Sequence, residues 1–173
     1  MTIATMLDTE TMSTNYNAAI VQLGAVKFEQ ETGEIISDFI INISLKDCIS
    51  KGLHYDEDTM QWWKKQNPEV LKSLFTNTVS LHDALDAFSK WYGDKSMQTW
   101  CNGANFDYPI IDSAYKAVSG TVPWKYWHMC DYRTVVNLSG LPKSYFDEQR
   151  KLMGDSYHNA LFDCKFQTKM LFE

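Results

Sequence analysis

Three successive strand patterns occupy the first 43 residues, and this order constrains the fold more than any other feature of the chain. Apolar residues from Ile3 onward run without a turn into Asp8-Thr9-Glu10, and a second, largely apolar segment covers residues 18–28. The acidic, Gly-containing segment 31–34 is typical of a turn, and the alternating segment 35–43 predicts a third strand. We therefore predict that the chain begins with an antiparallel meander of three strands.

The rest of the chain alternates helical and strand patterns. Helical spacing begins after Asp56 and breaks at Asn67-Pro68, and a clearer helix follows Ser80, which forms a capping-box pattern with Asp83, and ends at Gly93. Further elements are predicted as strands over 97–101 and 127–130, helices opening at Pro109 and Asp131, a break over 139–142, and a last helix from about Asn159. A meander followed by strand–helix units predicts an α/β fold, with a mixed five-stranded sheet and helices on both faces.

Composition limits the size, compartment and partners of the protein. A chain of 173 residues, 45% of them hydrophobic, fits one globular domain over 1–173. Its formal charge, 16 − 22 = −6, argues against binding nucleic acid by general phosphate neutralisation. The four cysteines form no CxxC pair, and neither a signal peptide nor an apolar run long enough to span a bilayer is evident. We expect reduced thiols and a soluble, cytoplasmic protein without a membrane partner; a homo-oligomer remains open.

One pair of acids follows the first apolar strand directly. Asp8 and Glu10 are two residues apart, so on a strand both carboxylates point to the same face and can share a metal ion. Acid pairs of this spacing also arise by chance, and Asp56 and Asp58 form another. The position of the first pair, at the end of a buried strand, favours a functional role because acids there need partners.

Two further acids and a histidine have structural explanations when each is taken alone. Asp107 lies just before the helix predicted at Pro109, and Asp163 lies in the first turns of the last helix, where acids serve as caps or dipole partners. His158 can share a site with Asp163 only if it precedes that helix, which requires Asn159 as the N-cap.

Taken in order, three segments closely resemble the exonuclease motifs of the DEDD superfamily. They are Asp8-Thr9-Glu10, Asn102-Gly103-Ala104-Asn105-Phe106-Asp107 and His158-Asn159-Ala160-Leu161-Phe162-Asp163. The Trp62-Trp63 pair and the segment 131–134 are similar to parts of the small phage and bacterial exonuclease A and exoribonuclease-like group. A histidine five residues before the last aspartate places the resemblance with the DEDDh, or DnaQ-like, class, and the neighbouring Tyr157 is out of register for the tyrosine class. The resemblance covers essentially the whole chain.

This resemblance implies an RNase H-like fold and a specific reaction. The protein would be a 3′-to-5′ exonuclease that releases nucleoside 5′-monophosphates from single-stranded RNA or DNA ends, with RNA ahead of DNA. The motif carboxylates Asp8, Glu10, Asp107 and Asp163 would hold two Mg²⁺ or Mn²⁺ ions, and His158 would act as general base on the attacking water.

Substrate contacts are also implied, together with two alternative functions. By resemblance Thr11 and Met12 would hold the terminal nucleotide, and Phe106 and Trp100 are candidate stacking surfaces for its base. An RNase H-like endonuclease is one alternative, although it leaves His158 unexplained. A catalytically silent interaction module is the other, and the intact set of carboxylates argues against it because clustered acids without a metal cost stability.

Overall fold

The computed structural model describes residues 2–154 and 158–173, and the strands in these ranges form one five-stranded mixed sheet in the order β3-β2-β1-β4-β5. The strands are β1 (Ile3–Thr11), β2 (Ile20–Glu29), β3 (Ile35–Asn42), β4 (Gln98–Cys101) and β5 (Met129–Asp131). β1, β2 and β3 pair antiparallel, whereas β4 runs parallel to β1 and β5 runs parallel to β4. The predicted meander and the mixed α/β sheet are confirmed.

Eight helices in the described ranges flank this sheet. They are α1 (Leu45–Ser50), α2 (Glu57–Trp63), α3 (Pro68–Leu74), α4 (Leu81–Tyr92), α5 (Ala104–Ala117), α6 (Tyr132–Ser139), α7 (Lys143–Leu152) and α8 (Ala160–Met170). The predicted N-caps Ser80 and Asn159 are present, since each side chain accepts a hydrogen bond from the main-chain N–H three residues ahead. Asn67, at the predicted break, caps α3 in the same way through the N–H of Glu69. Helix α1 has no counterpart among the predicted elements.

The start of α5 differs from the prediction. The helix begins at Ala104, not at Pro109, and Pro109 lies inside it, where it removes one main-chain donor. The start is stabilised from a distance, because the Asp131 carboxylate accepts hydrogen bonds from the N–H groups of Gly103 (3.0 Å) and Ala104 (3.2 Å). As a result Asp107 does not cap the helix. It lies in the first turn with its side chain buried.

Two hydrophobic clusters pack on opposite faces of the sheet, and they decide where the side chains of β1 point. Leu7 packs in the larger cluster, whose members include residues of α4 and α5, whereas Met6 packs with residues of α8. Because side chains alternate along a strand, Asp8 and Glu10 share the α8 face and Thr9 shares the α5 face. Across the described residues, no helix is both long and apolar enough to cross a bilayer.

A glycine allows α8 to lie close to the sheet. A Cβ atom on Gly24 of β2 would lie 2.4 Å from the main-chain carbon of Ala160 and 2.5 Å from the main-chain nitrogen of Leu161. These distances are far below van der Waals contact, so only glycine fits here without a shift of the helix. The close approach sets the height of α8 above β1 and β2, and with it the position of Asp163.

Candidate active site

Three of the predicted carboxylates meet between β1 and α8. Asp8 and Glu10 come from the end of β1 and Asp163 from the first turn of α8, and one oxygen from each lies within 4.8 Å of the others. Glu10 is buried, whereas Asp8 and Asp163 keep partial exposure. Side chains two apart on a strand and one near a helix start thus form a single oxygen-rich site.

Asp107 joins this group from the opposite side of β1. Its Oδ1 atom accepts hydrogen bonds from the Thr9 hydroxyl (2.7 Å) and the Thr9 N–H (3.2 Å). The negative charge of Asp107 also raises the pKa of Asp8. Thr9, the middle residue of the first motif, therefore fixes the carboxylate of the second motif.

The pKa values of the four acids show that negative charge is in excess at this site. Burial, and then the neighbouring carboxylates, raise the pKa of Asp8 well above its usual value. Burial and the charge of Asp163 raise the pKa of Glu10 to about 9. Burial also raises the pKa of Asp107 to about 7, against the opposing hydrogen bonds from Thr9, and it raises the pKa of Asp163.

Arg150 of α7 partly compensates this charge, and the sequence did not point to it. Its Nη1 atom lies 2.5 Å from Asp163 Oδ1, and both side chains are only 13% exposed. The guanidinium also lies over the ring of Phe166, 4.3 Å from the ring centre. Because Arg150 and Asp163 belong to different helices, no local spacing pattern reveals their contact.

His158 lies beside the same cluster, immediately before α8. Its φ angle is 62°, a left-handed conformation that is uncommon for histidine, and its main-chain N–H donates to the Asp163 carboxylate. The imidazole packs edge-to-face against Trp62 (4.9 Å between ring centres) and Trp63 (5.6 Å). Burial lowers the pKa of His158, although the charge of Asp163 opposes this shift. The prediction about Tyr157 concerns a residue outside the described ranges.

The tryptophan pair connects His158 to the end of β1. Trp63 is buried, and its indole N–H donates to the main-chain oxygen of Thr11 (2.9 Å). Trp62 is 43% exposed and borders a cavity of about 440 Å³, which is also lined by Glu10, Thr11 and Phe106. This volume is within the usual range for small-molecule sites.

Two of the four predicted substrate contacts are not at this cavity. The Met12 side chain is fully buried in the core, its N–H donates to Ala19 and its carbonyl accepts from Asp56, so Met12 does not line this cavity. Trp100 packs against the cluster that contains α8 residues and does not line the cavity either. Their contacts with the terminal nucleotide stay predictions. Thr11 and Phe106 do line the cavity.

The donor set fits divalent cations that prefer oxygen. Carboxylate oxygens are the ligands that Mg²⁺ and Mn²⁺ favour, and the raised pKa values of the four acids show how much these groups would gain from added positive charge. Gln167 of α8 donates to Asp8 Oδ1 (3.3 Å), while its own carbonyl oxygen is buried without a hydrogen-bond partner among the described residues. Asp8, Glu10 and Asp163 are therefore the residues that could share a metal ion, and Asp107 stays a predicted fourth ligand.

Comparison with known protein families shows which family the chain belongs to. The model of the Rv2179c-like 3′-5′ exoribonuclease domain matches residues 4–173. The chain belongs to this family. The match confirms the predicted resemblance of the three motifs to 3′-5′ exonucleases. No curated protein sequence matches the chain.

Solved structures with the same fold are also exonucleases or related nucleases. E. coli exonuclease I in complex with a dT13 oligonucleotide has a TM-score of 0.72 at 13% identity, over 99% of this chain and 40% of that one. The cell-death related nuclease CRN-4 has a TM-score of 0.64 at 13% identity, over 98% and 62% of the two chains. Exonuclease X in complex with 5′-overhanging duplex DNA has a TM-score of 0.62 at 15% identity, over 98% and 89%. The chain thus spans less than half the length of exonuclease I and nearly all of exonuclease X.

Proposed function

We propose that residues 1–173 form one metal-dependent exonuclease domain that removes nucleoside 5′-monophosphates from the 3′ end of single-stranded RNA, with DNA as a poorer substrate. The observation that carries the proposal is the meeting of Asp8, Glu10 and Asp163 within 4.8 Å, beside His158, in a chain of the exoribonuclease family. The family description supports RNA, whereas the solved neighbours with bound oligonucleotides hold DNA.

The four carboxylates would hold two Mg²⁺ or Mn²⁺ ions, which would supply Lewis-acid stabilisation of the phosphate and lower the pKa of the attacking water. The chain itself positions the ligands. β1 presents Asp8 and Glu10 on one face, and the Thr9 hydroxyl and N–H hold the Asp107 carboxylate in one orientation. Fixed ligands avoid the cost of reorganisation during the reaction, which is the main catalytic benefit a protein provides to such a site.

His158 would accept the proton of the attacking water. Because burial lowers the pKa of His158, the imidazole is neutral near pH 7 and has a lone pair to accept that proton. The edge-to-face contacts with Trp62 and Trp63 restrict the ring, and the hydrogen bond from its main chain to Asp163 keeps the residue beside the ligands. Asp163 would also stabilise the imidazolium once it forms.

The terminal nucleotide would occupy the cavity beside Glu10. Phe106 and the exposed face of Trp62 provide aromatic surface for a base, and stacking of this kind tolerates any base. Thr11 lies at the same cavity, although its hydroxyl donates to the Ser13 carbonyl and is available to substrate as an acceptor only.

The test is digestion of 5′-labelled single-stranded RNA and DNA of one sequence with Mg²⁺ or Mn²⁺. We expect stepwise shortening from the 3′ end, faster on RNA, which Asp8→Asn abolishes. Asp86→Asn is the matched control, because Asp86 is an exposed acid of α4 paired with Lys90. Internal cleavage products would overturn the proposal in favour of an endonuclease, and absence of cleavage with either metal would favour an interaction module.

A further inference from the structure

A second cavity of about 560 Å³ lies between α6 and α7, next to the acidic cluster. Three cationic side chains, one acid and two amides form its polar border, and the half-buried ring of Phe146 is among its aromatic residues. The charged and amide residues are Asn102, Arg133, Asn137, Lys143, Asp147 and Arg150. The cavity, called here the α6–α7 groove, shares no lining residue with the cavity beside Glu10.

The groove is continuous with the active site through two of its residues. Arg150 lines the groove and pairs with Asp163 of the acidic cluster. Arg133 hydrogen-bonds to the main-chain oxygen of Asn102 (Nη2, 3.0 Å), at the start of the segment that carries Asp107. Its charge also lowers the pKa of Asp107, against the larger effect of burial. The groove is therefore adjacent to the acidic cluster through Arg150 and to the second motif through Arg133.

The charge of the groove is opposite to that of the whole chain. Three cations against Asp147 give 3 − 1 = +2, in a protein of formal charge −6. A concentration of positive charge beside a site for phosphodiester hydrolysis is what a phosphate requires, and guanidinium groups suit phosphate best because their N–H donors form paired hydrogen bonds.

Among these cations Arg133 is the one placed to take a new anion. Lys143 pairs with Asp147 (2.6 Å), and Arg150 pairs with Asp163. Arg133 is exposed, and the bonds of its Nη2 and Nε atoms to Asn102 use two of the five N–H donors of a guanidinium. The guanidinium is therefore held in place at the groove, and no carboxylate of residues 2–154 or 158–173 forms a salt bridge with it.

We propose that the α6–α7 groove binds the phosphodiester on the 5′ side of the penultimate nucleotide, with Arg133 as its main ligand. The inference rests on the proposed exonuclease function and adds a second binding position to it. Phe146, half-buried in the groove wall, offers a surface for the penultimate base. Such a site explains how an acidic protein holds a strand end without a basic surface along the whole strand.

The test compares two substrates. One is a short single-stranded RNA, and the other is a nitrophenyl ester of a nucleoside 5′-monophosphate, which has a scissile phosphate but no penultimate nucleotide. The measured quantity is kcat/KM for RNA divided by kcat/KM for the ester. We expect Arg133→Ala to lower this ratio at least about tenfold, because the variant loses a charge-assisted hydrogen bond to the strand. The loss should come mainly from a higher KM for RNA. Arg133→Lys should recover part of the ratio. Lys90→Ala, which removes an exposed cation of α4, should leave it unchanged.

A modified substrate tests the same contact without any variant. A neutral methylphosphonate at the penultimate position should raise KM for the wild-type protein about as much as Arg133→Ala does, and should raise KM no further in that variant. A second experiment adds inorganic phosphate to the reaction. If the groove prefers free phosphate, millimolar phosphate should inhibit hydrolysis competitively, and Arg133→Ala should relieve that inhibition.

Three results would overturn the proposal. If Arg133→Ala lowered kcat/KM equally for RNA and for the ester, Arg133 would act on the catalytic carboxylates through Asn102. If the ratio of the two kcat/KM values stayed unchanged, and the methylphosphonate did not raise KM for the wild-type protein, the strand would not enter the groove. Relief of phosphate inhibition without any change of the ratio would assign the groove to free phosphate. If the wild-type protein hydrolyses neither substrate, the exonuclease proposal itself fails and this inference with it.

Discussion

The two sides of the acidic cluster are built differently. Asp107 is buried on the core side, where two hydrogen bonds from Thr9 hold it. On the other side Asp163 is contacted by Arg150 and His158, and none of the ten residues of α7, all of them described, is buried. Three of the four carboxylates thus depend on β1 and the core, whereas Asp163 and His158 are also contacted from peripheral segments. Changes at His158 can therefore alter the rate without disturbing the ligands that β1 carries.

The largest effect that separates the two sides is expected at His158. His158→Ala should lower kcat by about 10²–10⁴-fold, the usual contribution of a general base, while the affinity for Mn²⁺ changes little because His158 is not a proposed ligand. Since burial lowers the pKa of His158, the acidic limb of the wild-type kcat/KM profile should lie below pH 6.5. Loss of Mn²⁺ binding in this variant, measured by calorimetry, would contradict the view that His158 acts independently of the metal ligands.

Substitution of Gly24 tests how the sheet positions α8 and Asp163. Gly24→Ala places a Cβ atom 2.4 Å from the main chain of Ala160, so α8 must move and carry Asp163 with it. We expect a loss of about 1–3 kcal/mol in the free energy of unfolding, together with weaker Mn²⁺ binding.

Gly52→Ala is the control for Gly24→Ala. Gly52 has a φ of 85°, so alanine is strained there, but its Cβ would meet nothing within 4 Å. This variant should lose stability in chemical denaturation and keep its affinity for Mn²⁺. Equal losses of affinity in both variants would show that the contact of Gly24 with α8 does not position Asp163.

The pH dependence of stability tests the crowding of the carboxylates. The pKa of Glu10 is raised from 4.5 to about 9, so between these values the folded protein keeps a proton that the unfolded chain has released. Stability of the metal-free protein should therefore fall as pH rises from 5 to 9, and the melting temperature should drop by about 2–4 °C for each kcal/mol lost.

Glu10→Gln should flatten this pH dependence, because the amide does not titrate. Mn²⁺ should raise the melting temperature more at pH 8 than at pH 6, since the cation stabilises the ionised carboxylates. A melting temperature of the metal-free protein that rises with pH over this range would contradict the account of the cluster.

Local patterns in the sequence predicted which elements carry the site residues better than they predicted the contacts between those elements. Asn159 and His158 were placed correctly relative to α8 because capping chemistry acts over three residues, and Asp8 and Glu10 share a face because strands alternate. The start of α5 was misplaced because its cap, Asp131, lies 27 residues further along the chain.

The contacts that sequence reasoning missed join elements far apart in the chain. Arg150 meets Asp163 across two helices, and Arg133 meets Asn102 across 31 residues, so neither pair leaves a periodic pattern. The burial of Met12 was not predictable for a related reason, because the residue after a strand end is exposed or buried according to what packs over it, and here the core does.

The most direct test of the central claim is hydrolysis of single-stranded RNA in water enriched in ¹⁸O, followed by mass spectrometry of the products. If water activated beside His158 attacks the last phosphodiester, every released nucleoside 5′-monophosphate should carry one ¹⁸O in its phosphate, and the shortened strand should carry none. Release of nucleoside 3′-phosphates or cyclic phosphates, or label in the remaining strand, would contradict the account.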